Sequence, residues 1–264
     1  MQDHRLRQLS ADANERAGKE WRHLVDSVEA KYDVRVGSPY EVYCNPAPLT
    51  IVYTSRHFQP NGDSFDESYK FVGPSILPRP HDEFDFSAVA TDNLIYISLG
   101  TVFNRALAFY KLSFDAFSNT QYTVILSVGR VNRVADLGEI PANFIVGNYV
   151  PQLDVLQHAK LFITHGGMNS TSEGLYYGVP LIVLPQSADQ PMVARHVAEK
   201  GAGIYLKQEG LSAGELQDAA ERVLTDRAFK KACAKIGDSF RNAGGFHRAV
   251  EEIISYKRRL GIEE

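Results

Sequence analysis

Apolar residues follow two patterns along this chain: short runs, and longer segments in which they recur every three or four positions. The first pattern is typical of buried strands and the second of helices with one apolar face. The runs predict strands at 49–54, 94–98, 122–128, 144–147, 161–164, 181–184 and 203–206, and a further short strand ended by Pro74. The periodic segments predict helices at 5–31, 105–118, 152–158, 213–224, 227–240 and 246–259, one that ends at Gly178, and one between Asp189 and Gly201. Strands and helices alternate from residue 94 onward, which predicts an α/β fold with a doubly wound parallel sheet of Rossmann type.

The turn after the strand at 161–164 reads His165-Gly166-Gly167-Met168-Asn169-Ser170. Its two glycines allow a tight bend that a ligand can approach closely. The helix that follows offers unpaired N–H groups and the positive end of its dipole, which together attract phosphate. Residues 170–173 also fit a capping box, in which Glu173 reaches back to the cap residue. The helix alone therefore favours a capping role for Glu173 over a role as acceptor for ligand hydroxyl groups.

Polar residues after the neighbouring strands change that balance. Tyr149 and Gln152 follow the strand at 144–147, and the pair Asp189-Gln190 follows the strand at 181–184. In open α/β sheets, ligands bind outside the carboxyl ends of the parallel strands. An aromatic ring, an amide, a phosphate-binding turn, a carboxylate and an Asp-Gln pair at one edge suit a nucleotide that carries a hydroxyl-rich group.

This ordered pattern closely resembles the nucleotide-sugar signature of the UDP-dependent glycosyltransferases, of the bacterial macrolide-glycosyltransferase type with the GT-B fold. The elements that carry the resemblance are Tyr149…Pro151-Gln152, His165-Gly166-Gly167-Met168-Asn169-Ser170, Glu173-Gly174, Gly178-Val179-Pro180, Asp189-Gln190 and, upstream, Ile97-Ser98-Leu99-Gly100-Thr101. It covers most of residues 40 to 255.

The resemblance implies the C-terminal half of a GT-B enzyme together with an incomplete N-terminal half. Residues 1–73 would be a remnant of the acceptor-side domain, and 74–93, which is rich in proline and charge, the interdomain linker. Residues 94–245 would be the donor-binding domain. A C-terminal helix within 246–264 would pack back toward the N-terminal part.

The resemblance also implies which residues hold the donor. They are Thr101, Tyr149, Val150, Gln152, His165, Gly167, Met168, Asn169, Ser170, Glu173, Asp189 and Gln190. Tyr149 would stack on the uracil, Val150 would contact the base edge through its backbone, and Gln152 would bond the nucleoside. The alternatives are an ordinary aromatic residue at a strand end for Tyr149 and the first turn of a helix for Gln152.

His165 and the turn residues 167–170 would contact the diphosphate, with Met168 contributing its backbone. Glu173 would accept from two vicinal ribose hydroxyls, because a carboxylate can accept from both at once. Asp189 and Gln190 would bind hydroxyls of the donor sugar, although Asp189 also fits a helix N-cap. Thr101 would bond the β-phosphate or a sugar hydroxyl, and a plain helix-start role for it is nearly as well supported.

The implied reaction is transfer of a hexose, with glucose as our expectation, from a UDP-sugar to a hydroxyl of a phenolic, macrolide or similar small acceptor, with inversion. We expect no cofactor and no metal, because no Asp-x-Asp triplet is present to hold one against a diphosphate. No position matches the family's catalytic histidine or its supporting aspartate, so no catalytic residue is assigned in this chain.

Two alternatives follow. The chain could be a catalytically incomplete fragment that binds UDP or a UDP-sugar and needs a complementary N-terminal half. An NAD-dependent oxidoreductase is disfavoured, because no G-x-G-x-x-G follows a predicted strand.

Composition bears on the partners and the cellular location that we expect for the protein. A net charge of −4 gives no electrostatic footprint for nucleic acid, and no run of eighteen apolar residues predicts a membrane span. The polar start and the unaccompanied residues Cys44 and Cys233 favour a reducing cytoplasm with free thiols. Apolar faces on the helices at 5–31 and 246–259 predict self-association through the incomplete half.

Overall fold

The computed structural model describes residues 2–37, 47–79, 84–86, 89–101 and 106–262, with side chains from residue 15 onward. The chain forms two compact units, Met1–Pro48 and Leu49–Glu264. The first unit contains helix α1, Gln2–Tyr32, which confirms the helix predicted at 5–31. Leu24 and Val28 on its predicted apolar face are exposed. The domain boundaries expected at residues 73, 93 and 245 stay predictions.

The second unit begins with two short strands, β1 (Thr50–Val52) and β2 (Tyr69–Phe71). They pair in parallel, with Thr50 opposite Tyr69. Arg56 holds the connection between them, because its guanidinium donates to the carbonyls of Gly62 and Phe65 at 2.8 Å each. The short strand that was predicted to run from Phe71 to Pro74 lies earlier in the chain, because β2 ends at Phe71.

The main sheet has six parallel strands, and each begins and ends near the residues predicted for it. The strands are β3 (Leu94–Ser98), β4 (Thr123–Ser127), β5 (Phe144–Gly147), β6 (Leu161–Thr164), β7 (Leu181–Val183) and β8 (Gly203–Tyr205). Their order across the sheet is β5-β4-β3-β6-β7-β8. The chain therefore builds outward from β3 in one direction and outward from β6 in the other. Such a reversal creates a crevice at the carboxyl ends of the two central strands, where ligands bind in doubly wound folds.

Helices cover both faces of the sheet, as a doubly wound fold requires. They are α2 (Leu107–Phe117), α3 (Gln152–His158), α4 (Met168–Tyr176), α5 (Gln190–Glu199), α6 (Ala213–Thr225) and α7 (Arg227–Asn242). Helix α8 (Gly245–Arg259) follows α7. Side chains alternate across β3: Ile95 and Ile97 join the core formed with α2 and α6, while Tyr96 joins the core formed with α3, α4, α5 and α7. The whole of β3 is buried, which explains its unbroken apolar run.

The capping role that the local motif allows for Glu173 is not observed. Helix α4 begins at Met168 with Gly167 at its N-cap, so Ser170 lies inside the first turn and no capping box forms with Glu173. The reason is Gly166, whose positive φ of 85° tightens the bend and lets the helix begin before Ser170. A capping box does form at α6, where Ser212 and Glu215 bond each other's backbone N–H groups.

Two further expectations can be compared with the structure. Asp189 occupies the N-cap position of α5, but its side chain makes no capping hydrogen bond. Cys233 is buried with a free thiol that donates to the carbonyl of Ala202 at 3.2 Å, whereas Cys44 lies outside the described residues. In the part of the chain that the structure describes, we find no helix with the length and apolarity to cross a membrane.

Candidate functional site

A cavity of about 960 Å³ lies at the carboxyl ends of the sheet strands. All twelve residues that the sequence assigned to donor binding line it. Nine further lining residues were not assigned from the sequence: Arg79, Tyr96, Ser98, Gly100, Ser127, Gly129, Arg130, Asn148 and Ala188. The cavity lies where the strand order reverses, so the topology and the predicted residues indicate the same place.

Strand register brings the turns after β3 and β6 together. Ser98 and Thr164 are opposite each other at the ends of these strands, so Gly100 and His165 meet just beyond them. A Cβ at Gly100 would lie 2.6 Å from Cε1 of His165, and a Cβ at Gly167 would lie 2.5 Å from Nε2 of the same ring. The imidazole of His165 therefore fits between two glycines, which is a second reason for glycine at these positions.

The imidazole of His165 is partly buried beside Thr164, whose hydroxyl lies 3.4 Å from Nδ1. Burial lowers the pKa of His165 below its usual value, and the negative charge of Asp189 acts in the opposite direction. A lowered pKa keeps the ring neutral near pH 7, with one N–H donor and one acceptor nitrogen. His165 can thus donate one hydrogen bond to a ligand oxygen above the glycine turn.

A chain of polar side chains fixes Glu173 on the inner wall. The Tyr96 hydroxyl donates to Oε1 of Gln152 at 3.2 Å, and Nε2 of Gln152 donates to Oε2 of Glu173 at 2.5 Å. The other carboxylate oxygen, Oε1, forms an ion pair with Nη2 of Arg79. Burial raises the pKa of Tyr96, so its hydroxyl stays a donor at neutral pH. Gln152 therefore presents its amide nitrogen, and not its oxygen, to the carboxylate.

Tyr149 and Val150 form the part of the wall that follows β5. The Tyr149 side chain is 60% exposed, whereas Val150 is buried. The phenol ring therefore has an accessible face at the cavity. Asn148 supports this turn, because its Nδ2 donates to the carbonyls of Gly129 at 2.7 Å and Asn132 at 2.6 Å.

The turn after β7 brings Asp189 and Gln190 into the cavity. Ala188 has a positive φ of 56°, an unfavourable conformation for a residue with a Cβ. The buried Gln190 side chain braces this turn, since its Oε1 accepts from the backbone N–H groups of Gln186 at 2.8 Å and Ser187 at 3.1 Å. The Gln190 amide oxygen is thus bound to its own turn, while the exposed Asp189 keeps a carboxylate at the cavity wall.

Arg79 and Arg130 are the cationic residues of the wall that the sequence reasoning missed. Arg130 comes directly after Gly129, which follows the strand predicted at 122–128. A glycine in that position could have indicated another turn at this edge of the sheet. Arg79 lies inside the predicted linker, and nothing in the local sequence relates it to Glu173. Among the described residues we find no group of three or more His, Cys, Asp or Glu arranged to hold a metal ion.

The chain is an α/β domain in which a glycine turn at a helix N-terminus lies beside the reversal of strand order, an arrangement that binds phosphate groups in other doubly wound folds. Residues 112–244, half of the chain, match the model of the erythromycin biosynthesis protein CIII-like C-terminal domain. The chain is 40% identical over 235 residues to the uncharacterized UDP-glucosyltransferase YojK of Bacillus subtilis (strain 168), covering 89% of this chain and 58% of that protein.

Solved structures give the same result. The calicheamicin glycosyltransferase CalG4 aligns with a TM-score of 0.78 at 30% identity, covering 90% of this chain and 60% of that one. The glycotransferase of kitacinnamycin aligns with a TM-score of 0.80 at 30% identity, covering 92% and 62%. The chain therefore belongs to the macrolide-type UDP-glycosyltransferase family with the GT-B fold, which confirms the resemblance found in the sequence. It spans about 60% of the length of each of these three relatives.

Proposed function

We propose that this chain is the donor-binding part of a glycosyltransferase. The reaction would transfer a hexose, with glucose as the sugar to test first, from a UDP-sugar to a hydroxyl group of a small-molecule acceptor, with inversion at the anomeric carbon. The observation that carries the proposal is that the glycine turn, His165 and the buried Glu173 line one cavity where the strand order reverses.

The turn and helix α4 would bind the diphosphate. The first N–H groups of a helix have no partner within it, and the helix dipole adds positive potential at this end. His165 would add a neutral N–H donor. As the bond to the sugar breaks, negative charge grows on the departing UDP, and donors already aimed at that position would stabilise it. We expect these protein groups to make a metal cofactor unnecessary.

The remaining wall would hold the nucleoside and the sugar. Tyr149 would stack on the uracil with its exposed face, and the backbone of Val150 would contact the base edge. Glu173, oriented by Gln152, would accept from the ribose hydroxyls. Asp189 would bind sugar hydroxyls directly. The amide oxygen of Gln190 is bound within its own turn, so Gln190 would donate to sugar hydroxyls from its amide nitrogen.

A second candidate function is donor binding without transfer by this chain alone. Two observations favour it. The chain spans about 60% of the length of the relatives named above, and no position in it matches the family's catalytic histidine. Transfer would then require a complementary N-terminal half. We also propose a cytoplasmic location, and self-association that involves exposed apolar residues such as Leu24 on α1 and Ile253 on α8.

Calorimetry with UDP tests the proposal directly. The folded chain should bind UDP, and Glu173→Gln, which removes the carboxylate charge at nearly the same volume, should bind it more weakly. Glu139→Gln changes an exposed carboxylate outside the cavity and should leave binding unchanged. A folded chain with no UDP binding would refute both candidate functions.

A transfer assay then separates the two candidates. The chain is incubated with UDP-glucose and a phenolic acceptor, and the product is identified by mass spectrometry. A glycoside product supports transfer by this chain, and the anomeric configuration determined by NMR tests inversion. UDP binding without product supports the donor-binding fragment.

A further inference from the structure

Arg79 makes a contact that the proposed function does not use. Its Nη2 forms an ion pair with Oε1 of Glu173, a residue 94 positions further along the chain. The Glu173 side chain is only 6% exposed, whereas that of Arg79 is 53% exposed. A half-exposed guanidinium thus covers the largely buried carboxylate to which we assign the ribose.

The two partners of Glu173 differ in how firmly they are held. Gln152 lies in helix α3, and the buried Tyr96 hydroxyl orients its amide. Arg79 lies in a segment that forms neither helix nor strand from residue 72 to 79. Backbone hydrogen bonds hold the start of this segment at Val72 and Gly73, but residues 77–79 are exposed. Arg79 is therefore the partner that can move away while the wall of the cavity keeps its shape.

A ribose diol and Arg79 both require Oε1 of Glu173. A vicinal diol bound to a carboxylate donates to its oxygens, and the guanidinium donates to Oε1 in this structure. With little of the Glu173 side chain accessible, a diol can reach both oxygens only after the guanidinium has moved. Oε1 stays hydrogen-bonded in either case, because a diol hydroxyl replaces the hydrogen bond that Arg79 gives up.

We propose that Arg79 is an intramolecular competitor of the nucleotide: it occupies the ribose-binding face of Glu173 and is displaced when a ribonucleotide binds. This inference rests on the proposed function, since it takes the UDP ribose as the ligand of Glu173. Nucleotide binding is thereby linked to release of Arg79 and of the exposed residues 77–79 that carry it. The contact lowers nucleotide affinity and holds this segment against the donor site.

The test compares two ligands and three proteins by calorimetry. The ligands are UDP and its 2′,3′-dideoxy analogue, which has the same base and diphosphate but no ribose diol. The proteins are the parent chain, Arg79→Ala and Arg133→Ala. Arg133 is a matched control, because its side chain is 80% exposed and does not line the cavity. Circular dichroism verifies that each protein is folded.

We expect Arg79→Ala to bind UDP more tightly by roughly two- to fivefold, the range for a partly exposed ion pair. Its affinity for the dideoxy analogue should not increase, and Arg133→Ala should match the parent chain with both ligands. The decisive quantity is the factor by which Arg79→Ala raises the affinity for UDP, divided by the factor by which it raises the affinity for the analogue. Loss of positive charge near the diphosphate affects both affinities equally and cancels in this ratio.

Two outcomes would overturn the inference while leaving the proposed function intact. Weaker UDP binding by Arg79→Ala with no change in that ratio would make Arg79 a ligand of the diphosphate. Equal gains for both ligands would show that Arg79 does not compete with the diol. If neither the parent chain nor the variant binds UDP, the proposed function fails, and the inference fails with it.

Discussion

Gly167→Ala tests whether the glycine turn acts by making room for the His165 ring. Gly167 has φ −60° and ψ 137°, a conformation that alanine adopts without strain. The added methyl group would lie 2.5 Å from Nε2 of His165, closer than non-bonded atoms approach, so the ring has to move. The substitution therefore displaces an imidazole while leaving the backbone of the turn allowed.

The expected size of the effect follows from the contact that is lost. A hydrogen bond to a charged group contributes about 1.5–3 kcal/mol, so losing the bond from His165 to a phosphate should weaken UDP binding roughly 10- to 100-fold. Stability should change less, by about 1 kcal/mol, because alanine is a poorer N-cap than glycine. Gly167→Ala should therefore reduce the free energy of UDP binding more than the free energy of unfolding.

The assay is calorimetric titration of UDP into four proteins: the parent chain, Gly167→Ala, His165→Ala and the double variant. If the methyl group acts through the ring, it should cost affinity in the parent chain and almost none where the ring is absent. Gly214→Ala, with open space around its Cβ position, is the control and should not change UDP affinity. An equal loss from Gly167→Ala with and without His165 would refute this reasoning, because the turn backbone would then be responsible.

Three further predictions concern separate parts of the molecule. Tyr149→Ala should weaken UDP binding by about 1–3 kcal/mol through lost stacking while leaving the urea midpoint nearly unchanged, and unaltered affinity would argue against stacking. Because the pKa of His165 is lowered in the folded state, the unfolded chain binds more protons near pH 6, and the free energy of unfolding should fall as the pH drops below 6.5. His165→Gln should reduce this dependence of the unfolding free energy on pH, as measured by urea titrations at several pH values. An unchanged dependence would contradict the prediction. Ser212→Ala removes the capping box of α6 and should lower the free energy of unfolding by about 1 kcal/mol without changing UDP affinity; a loss of UDP affinity would show that α6 influences the cavity.

Most of the architecture could be predicted because the buried elements have clear local patterns. Strands β3 and β6 have the bounds that the apolar runs predicted, since a strand covered on both faces needs an unbroken apolar run. The edge strand β5 also has its predicted bounds, although it is only partly buried. The capping box that residues 170–173 fit does not form, because the same motif is also compatible with a helix interior. Helix α4 begins at Met168, directly after the bend at Gly166 and Gly167.

The candidate site was predictable as a set of residues but not as a set of contacts. All twelve predicted residues line one cavity, because the residues that follow parallel strands share an edge of the sheet. The contacts of Gln190 with its own turn and of Glu173 with Arg79 had no signal in the sequence. A carboxylate in a helix accepts from whichever donor the fold brings to it.

The sequence by itself determined the alternation of strands and helices, the parallel sheet, the glycine turn and the family. These features depend on periodicity and on short motifs, which neighbouring residues specify. Only the tertiary structure decided that His165 lies between Gly100 and Gly167, and that Arg79 covers Glu173. Such contacts join residues far apart in the chain, so they depend on strand register and packing, which a local window of sequence does not contain.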